Sequence, residues 1–288
     1  MLGFNTILFP IDFSERCRGA AHYVEAFAGR FRSRLVLLNV LETTIGQPGD
    51  LDFGALTTSL HLEDRLARSQ ELLDRFMADD QFLTIHRRLE TGDPAHTIIR
   101  VAREENADLI MLPTHGYGGF RRFLLGSVTA KVLSDAQCPV WTGVHMESAP
   151  PLDAIQTRRI LCAVDLSSRT EAVIAAGMQL AEEYAAQLAF THVVPGSDAI
   201  PEKIMDCELR RHLIAQAREQ LLAKATQAGA SASLLVRCGE VAKSVDETAR
   251  EFAADLLVIG RSLQHGLGRL RTHSYAIIRE SPCPVLSI

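Results

Sequence analysis

The chain has 288 residues, enough for one large domain or two ordinary ones, and its 47% hydrophobic and 23% charged residues suit a soluble globular protein. A formal net charge of −5 leaves no basic footprint for nucleic acid, and no apolar run nears the roughly 18 residues of a membrane span. The N-terminal MLGFNTILFPIDF lacks a basic region and is interrupted by Asp12, so it does not read as a signal peptide. A cytoplasmic protein with neither membrane nor nucleic-acid partner is expected.

In chain order, an apolar strand is expected at Thr6–Ile11, then a helix over about Ser14–Ala28 with Ser14 as N-cap and Glu15 favouring the helix dipole. A second strand spans Arg34–Leu41. After a loop comes an amphipathic helix with Leu62, Leu66, Leu73 and Phe76 along one side. Phe82–Glu90 alternates like a strand, and Asp93 followed by Pro94 opens a third helix. ADLIML and CPVWTG supply strands four and five. Short apolar strands alternating with helices indicate parallel βαβ units in a doubly wound sheet.

The pattern then repeats. Asp12 matches Asp165 and Val40 matches Val193, each 153 residues on. Gly92 matches Gly239 and Asp108 matches Asp255 at a shift of 147, and Cys138 matches Cys283 at 145. The falling shift means that the second copy has shorter loops. The polar stretch Met146–Thr157, with Pro150-Pro151, reads as the join. The chain accordingly divides into a domain at residues 1–147, a linker at 148–157 and a second domain at 158–288.

Between strand four and the next helix of the first copy lies LPTHGYGGFRRFLLGSV, Leu112–Val128. Strand, glycine-rich loop, helix is an order that holds phosphates, because the first amide groups of a helix have no partners inside it. Gly126 lets a ligand approach the backbone, Ser127 adds a hydroxyl, Gly116 frees the turn, and Arg121 and Arg122 are candidate counter-charges. A flexible surface turn followed by a capped helix would look the same. The loop is neither a P-loop nor a GxGxxG turn.

Residues Pro113-x2-Gly116-x9-Gly126-Ser127 resemble the G-x2-G-x9-G-S/T loop of universal stress proteins, and ILFPIDFS, LLNV and CPV resemble that family's first, second and fifth strands. The resemblance covers both copies. It implies two tandem doubly wound five-stranded parallel sheets, strand order 3-2-1-4-5, flanked by helices. It also implies ATP, with magnesium or manganese, in the first domain. Pro10, Asp12, Val40 and Leu112 would lie on the nucleoside side, and Pro113, His115, Gly116, Gly126, Ser127 and Val128 on the phosphate side. Pro113 departs from the family glycine and lacks an amide hydrogen.

The second copy departs further. Gly260 stands where Pro113 does, but Leu263 replaces Gly116, and Arg271-Thr272 replaces Gly126-Ser127. It is not expected to bind ATP; Arg261, Arg269 and Arg271 would form a basic rim or take a smaller anion. Asp165 reads as a structural cap, Trp141 as interface packing, and the six cysteines as reduced thiols without a disulfide or redox role. The histidines lack metal spacing.

No catalytic constellation is expected, and slow ATP hydrolysis at most. Three functions stay open: a stress-response regulator that binds ATP, a slow ATPase, and a scaffold independent of nucleotide. Family members commonly pair through strand five. The two apolar fifth strands are therefore expected to cover each other within one chain, as a pseudo-dimer with Trp141 near the seam. Whether full chains form a homodimer stays open.

Overall fold

The computed structural model describes residues 3–42, 54–78, 83–114, 125–144, 146–195, 207–261 and 270–288; the side chains at 54–61, 207 and 270–272 are not among those described. His115, Gly116, Arg121, Arg122, Leu263 and Arg269 lie outside the described residues, as do the side chains of Arg271 and Thr272.

The first half runs β1 (Thr6–Ile11), α1 (Glu15–Phe31), β2 (Arg34–Leu41), α2 (Gly54–Arg75), β3 (Thr84–Thr91), α3 (Pro94–Glu104), β4 (Leu109–Pro113), α4 (Ser127–Asp135) and β5 (Val140–Gly143). The second runs β6 (Arg159–Ala163), α5 (Thr170–Tyr184), β7 (Gln187–Pro195), α6 (Cys207–Gln227), β8 (Ser233–Gly239), α7 (Val241–Phe252), β9 (Leu256–Ile259), α8 (Leu270–Glu280) and β10 (Val285–Ser287). Local chemistry explains the helix starts. Ser14 accepts from the Cys17 amide, Asp93 from His96, and Glu240 from Ala242 and Lys243. α1 ends where Arg32 takes a left-handed conformation, φ 53°.

The repeat predicts two sheets; the chain builds one. Its ten strands lie in the order β3-β2-β1-β4-β5-β10-β9-β6-β7-β8. Every pairing is parallel except that of β5 with β10, where Val285 faces Thr142, Leu286 faces Trp141 and Ser287 faces Val140. The fifth strands are the apolar edges of the two halves, and joining them removes both edges. Each wing thus runs 3-2-1-4-5 outward to inward.

Two apolar cores cover the sheet and cross the junction. On one face α1, α2, α5 and α6 pack with Ile7, Phe9, Leu35, Leu37, Trp141 and Leu286. On the other α3, α4, α7 and α8 pack with Leu8, Val36, Leu38, Ile110 and Val285. Each such fully buried aliphatic side chain contributes about 1.5–3 kcal/mol relative to exposure. Trp141 is buried, faces Leu286 across the β5–β10 junction and lies beside Tyr23, ring centroids 5.5 Å apart, so it packs at the seam as expected.

The join is also built in. Met146–Ser148 and Leu152–Ala154 form 3-10 turns that lie on α1. A Cβ on Gly19 would fall 1.7 Å from the Met146 carbonyl oxygen, so only glycine admits this contact. His22 Nδ1 lies 2.9 Å from the Pro150 carbonyl oxygen and Arg16 pairs with Glu147 at 3.6 Å. Arg30 pairs with Glu183 of the other half at 2.9 Å and lies over the Tyr184 ring.

Candidate functional site at the carboxyl edge of the first half

β1 lies between β2 and β4, so their carboxyl ends are adjacent. Pro10 pairs with Leu38 and Ile11 with Asn39; Leu8 pairs with Ile110. Continuing those registers sets Asp12 level with Val40 and Pro10 level with Leu112. Strands lie about 4.8 Å apart, so the three ends span roughly 10 Å.

Side chains alternate across a strand. Leu8, Leu38 and Ile110 belong to the core under α3 and α4, so Pro10, Val40 and Leu112, two residues further on, share that face. Leu112 is part of that core, and Val40 and Val128 pack against it. The structure therefore brings together Pro10, Val40, Leu112 and Val128 on the face that carries α4, with Asp12 at the same strand edge but turned to the start of α1. Pro113 points to the opposite face but stands at the same edge, paired with Gly143.

Asp12 sits just past β1, where Phe13 turns the chain through φ 59°. Its carboxylate accepts from the Ser14 amide at 3.0 Å. Partial burial pushes this carboxyl up, but hydrogen bonds from Ser14 and Cys17, together with the Arg16 charge, outweigh it and hold it below the usual carboxylate value. Asp12 is thus an ionised acceptor at the mouth of the site. Asp165 repeats the turn, accepting from the Ser167 amide at 3.0 Å where Leu166 takes φ 59°, but it does not cap the following helix as expected: α5 starts on Arg169 with no side-chain cap.

α4 begins at Ser127 with Gly126 as N-cap, and no side chain caps it. Ser14, Asp93 and Glu240 close the starts of α1, α3 and α7; α4 keeps its first amides free of such a cap, a feature it shares with α5, whose N-cap is Arg169. Gly126 and Val128 are half-buried and Ser127 is exposed.

Three polar residues escaped the sequence reading. Asn39 is buried and donates through Nδ2 to the Ile11 carbonyl at 2.8 Å; its match, His192, places Nδ1 2.8 Å from the Val164 carbonyl. Both pin the exit of a first strand from the face opposite α4. Thr114, buried after β4, donates its hydroxyl to the Gly143 carbonyl at 3.1 Å. The shared position of Asn39 and His192 in the repeat was the available signal.

Arg261 corrects an expectation. It is not part of a solvated or anion-binding rim: it is buried, and its Nη1 and Nη2 donate to the Leu133 and Cys138 carbonyls of the first half at 3.0 and 2.7 Å. The reason is the β5–β10 junction, which brings Arg261, two residues after β9, against the end of α4. Among the described residues no group of three or more His, Cys, Asp or Glu is arranged to hold a metal ion, and no helix is long and apolar enough to cross a membrane. The described cysteines are free, and burial pushes the thiols of Cys17, Cys162 and Cys283 up, that of Cys283 to about 12.

Comparison with known proteins adds a family to this geometry. The model of the universal stress protein family matches residues 3–142 and again 156–288. A universal stress protein of Thermus aquaticus is 33% identical over 141 residues, 48% of this chain and 96% of that one. The universal stress protein MJ0531 of Methanocaldococcus jannaschii is 30% identical over 141 residues, 48% of this chain and 80% of the relative. Among solved structures, PA1789 of Pseudomonas aeruginosa, described as functionally unknown, aligns over 100% of this chain and 93% of its own with a TM-score of 0.67 at 20% identity. A universal stress protein of Archaeoglobus fulgidus aligns over 99% of this chain and 96% of its own with a TM-score of 0.66 at 21% identity.

Proposed function

The chain belongs to the universal stress protein family, and from that premise we propose that its first domain, residues 1–147, binds ATP while its second, residues 158–288, does not. One observation carries the reading: α4 starts on Gly126 with no side-chain cap, beside strand ends whose Pro10, Val40 and Leu112 share the α4 face. The first-turn amides of α4 and the Ser127 hydroxyl would hold phosphate oxygens, favoured by the positive end of the helix dipole, an effect of about 0.3–2 kcal/mol. Val40 and Leu112 would flank the nucleoside, and Asp12 would accept from its hydroxyl or amino groups. His115 and Gly116 complete the phosphate side in the family motif. Pro113 offers no amide hydrogen, so the phosphate rests on α4 more than on the start of the loop.

A magnesium or manganese ion would come with the triphosphate, held by its oxygens and by water. Among the described residues no group of three or more His, Cys, Asp or Glu is arranged to hold a metal ion, and the domain is read as a nucleotide sensor that turns ATP over slowly at most. Its setting is a cytoplasmic stress response, with occupancy of the first domain altering the surface presented by the whole chain.

Mass spectrometry of small molecules released from gently purified protein tests this. ATP recovered at a substantial fraction of the protein supports the reading. Absence of ATP, together with no uptake when it is added, leaves the nucleotide-independent scaffold.

A further inference from the structure

Helix α4 is held at two points by the opposite half of the chain. Tyr275 of α8 donates its hydroxyl to the Ala130 carbonyl at 2.9 Å, one turn from the α4 N-terminus. Arg261 takes the other end, donating to Leu133 at 3.0 Å and to Cys138 at 2.7 Å. The Leu133 carbonyl is among the last four of α4, which lack partners inside the helix. A guanidinium there also faces the negative end of the helix dipole.

The grip runs one way. In the repeat Tyr275 matches Ala130, and Arg261 matches Thr114. Ala130 has no hydroxyl to return, and Thr114 donates to Gly143 within its own half. The donors come from the half that lacks the glycine loop and fall on the helix of the half that has it.

Stability alone is a poor reason for Arg261. It is 6% exposed, has no carboxylate partner among the described residues, and its Nε finds no hydrogen-bond partner there. Desolvating a guanidinium without a counter-charge is costly, and its two carbonyl bonds offset that cost only in part. α4, by contrast, needs outside support: its nine residues are too few for a helix to persist alone.

We propose that Arg261 and Tyr275 are positioning residues: the second half fixes the axis of α4 and so aims its first-turn amides, making phosphate affinity in the first half depend on the second. This rests on the reading of the first half as an ATP site. The strand ends that would flank the nucleoside are set by β1, β2 and β4, outside this grip.

The test uses the full chain with Arg261→Met, which keeps an apolar stem in place, and Tyr275→Phe, which removes only a hydroxyl. Amide hydrogen exchange over residues 127–135 is measured without nucleotide, and affinities for ATP and adenosine are measured by calorimetry. Both variants are expected to exchange faster in that segment. Each should bind ATP about three- to tenfold more weakly, with adenosine unchanged. Unchanged exchange overturns the proposal, as does unchanged ATP affinity or an equal loss of ATP and adenosine. If the wild-type chain binds neither ligand, the nucleotide reading fails by itself, and exchange alone decides whether the second half orders α4: faster exchange keeps that coupling, unchanged exchange ends it.

Discussion

The two halves share a fold, a first-strand turn and a pinning side chain, and differ where a ligand would rest. Asp12 and Asp165 make the same 3.0 Å contact to a serine amide, and Asn39 and His192 hold the same carbonyl position. The contacts diverge at a matched pair, Thr114 one residue past β4 and Arg261 two residues past β9. Thr114 stays within its own half while Arg261 crosses to α4. The divergence continues at the next helix, where the first half has Gly126-Ser127 and the second Arg271-Thr272. A duplicated fold thus keeps its frame in both copies and varies the residues after strand four. On the proposed reading one copy keeps the small residues that would admit a phosphate, while the other uses Arg261 for contact with its twin.

The largest expected effect comes from attacking the frame they share. Val285 is buried in β10 opposite Thr142. Val285→Asp places a carboxylate without a partner in the seam and should cost about 4 kcal/mol or more, with the group staying protonated in whatever folded fraction survives. Equilibrium denaturation measures it. A loss below about 1 kcal/mol would mean that the seam is not a continuous sheet core. Next comes Gly126→Arg, which gives the first half the residue of the second. ATP affinity should fall at least about a hundredfold, near 2.7 kcal/mol, while the thermal midpoint stays put, because the second half already carries an arginine at the matching position. Normal ATP binding by this variant would move the phosphate site elsewhere.

A smaller effect separates the outer wings. In the first half Arg88 bonds Glu90, Glu104 and Glu105, and Arg34 and Arg100 join the cluster. Burial pushes Glu90 and Glu105 up, yet their arginine partners outweigh it and hold both below the usual value. A lowered carboxyl stabilises the fold above its unfolded pKa, about 4.3, and loses that contribution as pH falls through the lower folded value. Arg88→Met should therefore cost about 1 kcal/mol at pH 7 and progressively less below about pH 4. Urea titrations across that range check it; a cost that does not shrink in acid would assign Arg88 a packing role instead.

Much of the frame was legible in the sequence. β1 and β2 fall at Thr6–Ile11 and Arg34–Leu41 as the apolar runs predict, Ser14 and Asp93 cap as their side chains predict, and the fifth strands pair because each is an apolar edge. The site was legible as a set of strand ends, since alternation places Pro10, Val40 and Leu112 on one face. What sequence could not show was direction across the junction. An arginine after a strand looks like a solvated charge until the neighbouring half brings carbonyls to it, as with Arg261. Likewise, Gly19 looks like a weak point in a helix until the Met146 carbonyl is seen against it.

The most direct test of the asymmetry is calorimetric titration of the full chain with ATP in the presence of magnesium. One ATP per chain, lost on Gly126→Arg, is the result expected. A stoichiometry near two, or one that survives Gly126→Arg, would contradict it.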